Sequence, residues 1–140
     1  MTDRAAIEAL IFAYAERIDA GDLDGLATLF RAATYRSDKG GHYDGADALG
    51  AVLRARVILH ADGTPRTKHV TTNLVIELEP DAATARSYYT VFQAVDDLPL
   101  QPIIAGRYHD RFVRGADGWC FADRLVFIDL VGDLSRHLRS

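Results

Sequence analysis

Apolar residues in the first thirty positions recur with the spacing of an amphipathic helix. Over residues 2–19 the pattern is i, i+3, i+4, i+7, carried by Ile7, Leu10, Ile11, Tyr14 and Ile18. Gly21 then suits a left-handed helix end, and Asp22 suits the N-cap of a short second helix over residues 23–30. Two helices in close succession are therefore predicted.

The pattern changes after a small predicted hairpin over residues 33–44 and a third predicted helix over residues 46–60. β-Branched and aromatic residues then dominate, and four long strands are predicted, over residues 67–79, 84–96, 102–114 and 119–131. Helices followed by an antiparallel sheet form the α+β layout, and strands of this length need twist or bulges. The 140 residues are predicted to form one domain, with N-terminal helices packed on a strongly curved sheet that encloses a pocket.

Composition and charge exclude several functional classes. Apolar residues make up 49% of the chain and charged residues 26%, as in ordinary globular proteins. The net charge of -4 without a basic block argues against nucleic-acid partners, and no apolar run approaches the ~18 residues of a membrane span. No metal-ligand spacing and no glycine-rich phosphate loop occur, so neither a metal nor another cofactor is expected. Cys120 is single and expected in the core, which with the absence of a signal-peptide pattern favours a cytoplasmic protein.

Three aspartates lie within the stretch RIDAGDLDG, residues 17–25. Asp22 as an N-cap and Asp24 in the first helical turn both have structural explanations. Asp19 instead falls in the last turn of the first predicted helix, where the helix dipole disfavours a carboxylate by a few tenths of a kcal/mol. Asp19 is therefore either a solvated residue or a functional one that borders a pocket.

His69 is the strongest candidate among the five histidines, because it begins a strand in the stretch KHVTTN. Period-two alternation places Thr71 and Asn73 on the same face, which is unusually polar. The opposite face is predicted to be buried and consists of Val70, Leu74, Ile76 and Leu78. The weaker candidates are His42, His60, His109 and His137.

The later strands carry charges at positions where apolar residues are usual. In GRYHDRFVR, Tyr108 and Asp110 share one face, and the other face is basic and expected to meet solvent or another subunit. Arg124 lies within the apolar stretch WCFADRLVF and needs a carboxylate partner, for which Asp110 and Asp19 are candidates. A structural ion pair and a role in substrate stabilisation both remain open.

Together, the stretches YAERIDAGDLDGLATLF, KHVTTNLVIE and GRYHDRFVRGADGWCFADR resemble SnoaL-like proteins of the nuclear-transport-factor-like superfamily. The resemblance extends over about residues 5–128. It implies a cone-shaped α+β fold and a homo-oligomer, dimer or trimer. That superfamily includes dehydratases, isomerases, polyketide cyclases and non-enzymatic modules, so the fold does not choose among them.

The dehydratase and dehydrochlorinase branches have an aspartate at the end of helix one and a histidine at the start of a long strand, which Asp19 and His69 match. The resemblance implies that Asp19 orients His69, which removes a proton next to a carbonyl, and that Arg124 lies near the departing anion. A cofactor-independent lyase or isomerase acting on a small cyclic, polyketide- or terpenoid-like substrate is expected. Its substrate-binding residues would be Tyr14, Tyr43, Asn73, Tyr89, Tyr108 and Asp110.

Two alternatives stay open. A polyketide cyclase or ketosteroid-isomerase-like enzyme would use an aspartate base: Tyr14 and Asp110 match two of that group's positions, and Asp38 reaches the third only with a one-residue shift. A non-catalytic small-molecule-binding module is the other. A hydrogen bond between Asp19 and His69 inside a closed, largely apolar cavity favours the lyase, whereas a cavity filled by side chains favours the binding module.

Overall fold

The computed structural model describes all 140 residues and contains three helices and six strands, in the order helix, helix, strand, strand, helix and then four strands. The helices are α1 (Asp3–Asp19), α2 (Leu23–Thr28) and α3 (Gly45–Arg56). The strands are β1 (Thr34–Ser37), β2 (His42–Asp44), β3 (Thr67–Leu78), β4 (Ala82–Val95), β5 (Leu98–Gly115) and β6 (Gly118–Val131). The α+β prediction is confirmed. Helix α3 ends at Arg56 rather than at residue 60, because Val57 is extended and bridges to Leu138 near the C-terminus.

The strands form one sheet in the order β2-β1-β6-β5-β4-β3. Every pairing is antiparallel except that between β1 and β6, which is parallel. The ladders β3–β4, β4–β5 and β5–β6 each contain register shifts, and such bulges bend and twist a strand. The long strands therefore curve into a cone around the helices.

Helix α1 closes one side of the cone. Thr2 caps the helix, since its side chain accepts a hydrogen bond from the backbone N–H of Ala5. The apolar stripe predicted from the sequence faces the sheet, and its buried members are Ile7, Ile11, Tyr14 and Ile18. The helix packs mainly on β3 and also touches β6. Its C-terminal end is thereby placed beside the first residues of β3.

A bulge in β3 overturns the predicted division of that strand into two faces. The β3–β4 register shifts between Thr72 and Val75, and Asn73 lies there with φ at 54°. Before the bulge His69 points inward, while Val70, predicted to be buried, is 41% exposed. After the bulge the alternation is reversed, so that Ile76 is buried. Asn73 is therefore exposed and does not share the inner face with His69.

Cys120 does not lie in the core as expected. It is only half-buried, pairs with Val113 across the β5–β6 ladder, and its thiol lies 3.7 Å from the Val113 carbonyl oxygen. The next residue, Phe121, is fully buried and takes the inward position. Because side chains alternate along a strand, the inward position of Phe121 turns Cys120 outward.

The outer face of the sheet carries charged side chains, as the alternation in β5 predicted, and apolar side chains lie between them. Arg107 makes two hydrogen bonds to Asp129, at 2.8 and 3.0 Å, and lies over the ring of Phe127. Tyr88 and Leu130 on this side of the sheet are exposed. Among the helices, none has both the length and the apolar character needed to cross a membrane.

The turn after α1 requires a residue without a side chain at position 21. The φ of Gly21 is +78°, and a Cβ there would lie 2.1 Å from the carbonyl oxygen of Gly63. Gly40 also has a positive φ, +98°, but a Cβ there would meet nothing within 4 Å. We expect Gly40→Ala to lower the free energy of unfolding by about 1 kcal/mol, from backbone strain alone. Gly21→Ala should lose roughly 2 kcal/mol more, because the loop must move. Urea denaturation measures both, and equal losses would show that the Gly63 contact does not matter.

Candidate active site

Asp19 and His69 form a hydrogen-bonded pair inside the cone. Asp19 Oδ1 lies 2.7 Å from His69 Nδ1, and Asp19 Oδ2 accepts the backbone N–H of His69 at 2.8 Å. The hydroxyl of Thr67 donates to Oδ1 at 2.9 Å. The two side chains are only 13% and 7% exposed. Asp19 is thus not a solvated residue, and three donors compensate for its position at a helix C-terminus.

The other two acids of RIDAGDLDG have the structural roles predicted for them. Asp22 caps α2 by accepting the backbone N–H of Gly25 at 2.9 Å. Asp24 lies in the first turn of α2 and makes an exposed ion pair with Arg54. Only Asp19 of the three acids points into the cone.

The electrostatics of the pair favour one proton arrangement. Burial alone would raise the pKa of Asp19, but its hydrogen bonds with His69 and Thr67 outweigh burial and lower that pKa below its usual value. A carboxylate can only accept hydrogen bonds, so the proton of a neutral His69 ring resides on Nδ1. Nε2 then holds the lone pair, which makes it the nitrogen able to accept a proton from a substrate.

A buried ion pair lies deeper in the cone. Arg124 donates two hydrogen bonds to Asp110, at 2.8 and 3.0 Å, and both side chains are 0% exposed. Asp110, rather than Asp19, is therefore the partner of Arg124. Burial raises the pKa of Asp110. Burial would also lower the pKa of Arg124, but the attraction of Asp110 outweighs it and raises that pKa.

Aromatic rings surround this ion pair. The Arg124 guanidinium carbon lies 3.7 Å from the ring centroid of Tyr108 and 4.4 Å from that of Tyr14. Tyr108 stacks on Tyr89, whose hydroxyl donates to the carbonyl of Phe127 at 2.9 Å. One guanidinium nitrogen of Arg124, Nη1, has no hydrogen-bond partner. It is the free donor of the buried pair.

Tyr35 joins the cluster although the sequence did not single it out. Its hydroxyl lies 3.0 Å from that of Tyr14, and burial raises its pKa well above the usual value, as it does for Tyr108. Both phenols therefore stay protonated at neutral pH and can donate hydrogen bonds. The signal available in the sequence was the short strand AATYRS, but the inward direction of Tyr35 depends on the parallel pairing of β1 with β6.

Two predicted substrate-binding residues lie apart from this cluster. Tyr43 is half-buried and pairs with Tyr35 across the β1–β2 ladder, packed against the edge of the core. Asn73 lies at the bulge of β3 and lines an outer-surface pocket with Arg86 and Tyr88. The alternative aspartate base, Asp38, accepts the backbone N–H of Ile128 at 3.1 Å. Asp38 and Asp110 therefore both already have hydrogen-bonding partners.

His137, which the sequence placed only among the weaker histidine candidates, also lies beside His69. Its side chain comes from the segment after β6, is 5% exposed, and its ring centroid lies 6.1 Å from that of His69. Burial, together with the charge of His69, lowers its pKa to about 4. Its position follows no helix or strand, so local periodicity contains no signal for it.

The pair is covered rather than open. Tyr14 and His137 are both buried against His69. An open pocket of about 280 Å³ reaches Asp19 from outside, beside Thr67. The interior around His69 is thus filled mainly by side chains, and a ligand can contact its Nε2 only when some of them shift.

Comparisons with known proteins agree with this fold. The sequence profile of the SnoaL-like domain matches residues 1–124. An NTF2-like protein with a cystatin-like fold from Novosphingobium aromaticivorans superimposes with a TM-score of 0.77 at 27% identity, over 96% of this chain and 86% of that one. The β subunit of a candidate aromatic-ring-hydroxylating dioxygenase from the same organism superimposes with a TM-score of 0.72 at 25% identity, over 91% of this chain and 89% of that one.

A candidate scytalone dehydratase from Novosphingobium aromaticivorans is also similar, with a TM-score of 0.74 at 24% identity, over 93% of this chain and 86% of that one. At this identity the likeness concerns the fold. A comparison with curated proteins found no match. The chemistry of the site must therefore be argued from its own residues.

The buried ion pair predicts a large loss of stability when it is broken. Asp110→Asn leaves the Arg124 charge buried without its counter-charge, which should cost about 3–5 kcal/mol of unfolding free energy. Asp129→Asn removes the same kind of bidentate partner from Arg107 on the exposed face and should cost less than about 1 kcal/mol. Chemical denaturation of the two variants gives the comparison. Similar losses would mean that burial does not strengthen the Arg124 pair.

The burial of His137 should make the stability of the protein depend on pH. The pKa of His137 falls from about 6.5 in the unfolded chain to about 4 in the fold, so the unfolded chain binds more protons between these values. Stability from His137 is therefore complete above about pH 6.5 and is lost as the pH falls towards 4, by up to roughly 3 kcal/mol. Denaturation at several pH values should show a smaller loss in His137→Phe than in the unmodified protein. An identical pH slope in both proteins would contradict the assignment.

Proposed function

The chain belongs to the SnoaL-like domain family, and on that premise we propose that it is a lyase of the dehydratase type. Its substrate would be a small cyclic hydroxy ketone, and Asp19 and His69 would remove the proton next to the carbonyl. The observation that carries the proposal is the buried carboxylate of Asp19, which holds both the backbone N–H and Nδ1 of His69. A carboxylate that fixes an imidazole in this way leaves Nε2 as a general base.

The chemical step balances with groups that the chain itself supplies. His69 Nε2 takes the α-proton, and the electrons of the broken C–H bond form the enolate. The enolate then expels the hydroxyl from the β-carbon, a carbon–carbon double bond forms, and the proton held by His69 or taken from solvent completes the departing water. A base positioned in this way contributes roughly a hundred- to ten-thousand-fold to the rate.

The cluster beyond His69 suits the oxygen that becomes negative. Arg124 has an unpaired Nη1 donor, the hydroxyls of Tyr14 and Tyr35 lie 3.0 Å apart, and burial keeps Tyr35 protonated by raising its pKa well above the usual value. Donors placed in a site sheltered from water stabilise a developing oxyanion more strongly than they would in bulk solvent. These three side chains are our candidates for binding the substrate carbonyl. Asp110 would serve by holding Arg124 in place.

A second candidate function is a non-catalytic binding module. The observation that favours it is the filled interior, in which buried tyrosines and His137 leave His69 covered. In that case Asp19 would serve only to join α1 to β3. The two candidates differ in whether a bound carbonyl compound exchanges its α-proton.

The experiment uses two simple probes. Exchange of the C2 protons of 1-tetralone in D2O, followed by NMR, reports proton removal alone. Conversion of 3-hydroxy-1-tetralone to 1-naphthol and water, followed by naphthol fluorescence, reports removal and elimination together. We expect the protein to accelerate both, and His69→Gln to lower both rates by about 10² to 10⁴. Asp19→Asn should lower them as well, because the ring loses its orientation.

His109→Gln is the matched control, because His109 lies exposed on the outer face of β5 beside Phe127. It should leave both rates unchanged. Exchange that proceeds at the unmodified rate in His69→Gln would show that His69 is not the base. Tetralone that binds without any accelerated exchange would favour the binding module instead.

A further inference from the structure

The C-terminal segment, residues 132–140, is held by hydrogen bonds and an ion pair to other parts of the fold. The backbone of Ile58 donates to the carbonyl of His137 at 2.9 Å, and that of Arg139 donates to Arg56 at 2.8 Å. The side chain of Arg136 pairs with Asp97 at the β4–β5 turn. These contacts tie the segment to the chain that follows α3 and to the sheet. His137 is therefore held in place by the fold rather than lying on a loose end.

The imidazole of His137 is buried without satisfying its own polar atoms. Nδ1 of this ring has no hydrogen-bond partner, and water cannot easily replace one because the residue is only 5% exposed. A buried polar atom left unpaired costs about 1–3 kcal/mol, so it calls for an explanation. A purely structural histidine at this position would be expected to donate or accept at least one hydrogen bond.

The ring of His137 faces that of His69. The two centroids are 6.1 Å apart and the planes are inclined by 67°. His69 is anchored through Nδ1 to Asp19, so its free edge is directed away from α1. Two imidazoles at this separation can contact one small fragment of a ligand, such as an α-carbon and the carbonyl oxygen beside it. No other histidine ring stacks with or faces His69.

We propose that His137 is a catalytic residue, whose uncharged imidazole donates a hydrogen bond from Nδ1 to the substrate oxygen next to the carbon that His69 deprotonates. The inference rests on the proposed function and adds a donor that comes from outside the sheet and helices. It explains why a polar ring is buried with its Nδ1 unpaired: the partner would be the ligand. The two histidines then have different roles: His69 takes the proton, and His137 stays neutral.

The surroundings of His137 keep it in the neutral form that this role needs. Burial opposes its protonation most strongly, the neighbouring His69 and His60 oppose it as well, and Asp19 alone among its charged neighbours favours it. When His69 takes a proton, a second positive charge 6.1 Å away becomes still less favourable.

The test compares two substitutions at one position. His137→Phe keeps the ring shape and removes the donor, while His137→Gln keeps an N–H donor. On C2 proton exchange of 1-tetralone, we expect His137→Phe to lower kcat by about 10²-fold, the effect of losing one oxyanion donor, with a smaller change in KM. His137→Gln should recover most of that loss. A residue that only fills space would give the opposite order, because phenylalanine packs better than glutamine.

Failure of this inference can be told apart from failure of the proposed function. If His69→Gln loses exchange but His137→Phe retains the unmodified kcat, the role of His137 is wrong and that of His69 stands. If His69→Gln retains exchange, the proposed function itself is wrong. Circular dichroism and thermal melting of each variant establish that it is folded.

A measurement on the unmodified protein does not depend on any variant. 1-Naphthol resembles the enol that the reaction would form, and its hydroxyl oxygen should contact the His137 ring. With ¹⁵N-labelled histidine, titration with 1-naphthol should move the His137 Nδ1 resonance together with the His69 Nε2 resonance. Movement of the His69 signal alone, or of no histidine signal, would overturn the proposal.

Discussion

The carboxylate of Asp19 is the interaction on which the rest of the site depends. It lies at the negative end of the α1 dipole, where a bare carboxylate is disfavoured, and it is buried. Three donors from Thr67 and His69 at the start of β3 make that position tolerable. The same set of hydrogen bonds thus joins the first helix to the sheet and orients the His69 ring. The helix cannot shift along β3 without also releasing the histidine.

The interior of the cone is more polar than an ordinary core, and its charges are arranged in pairs. Arg124 and Asp110 satisfy each other by two hydrogen bonds, while aromatic faces cover the guanidinium. Burying such a pair costs desolvation energy that apolar residues of the same size would not cost. This cost is understandable if the pair holds a buried, unpaired donor atom, Nη1, ready for a ligand. Structure and proposed chemistry then use the same residues.

Sequence reasoning found the elements and several of the inward-facing side chains because both depend on local periodicity. The stripe of α1, the cap of α2 and the inward face shared by Tyr108 and Asp110 all follow from spacing along one helix or strand. It failed where the period is broken. The bulge near Asn73 inserts one residue into β3 and reverses its faces, and nothing in the local composition marks that position.

By itself, the sequence determined the order of elements, the isolation of Asp19 among three acids, and the requirement of Arg124 for a carboxylate. Only the tertiary structure decided which groups meet: Asp19 and His69 are 50 residues apart, and their hydrogen bond exists because α1 packs on β3. The same holds for Tyr35 and His137, which reach the cone through the parallel β1–β6 pairing and the C-terminal segment. Contacts between distant segments depend on packing and register, and a repeat of 3.6 or 2 residues contains no information about either.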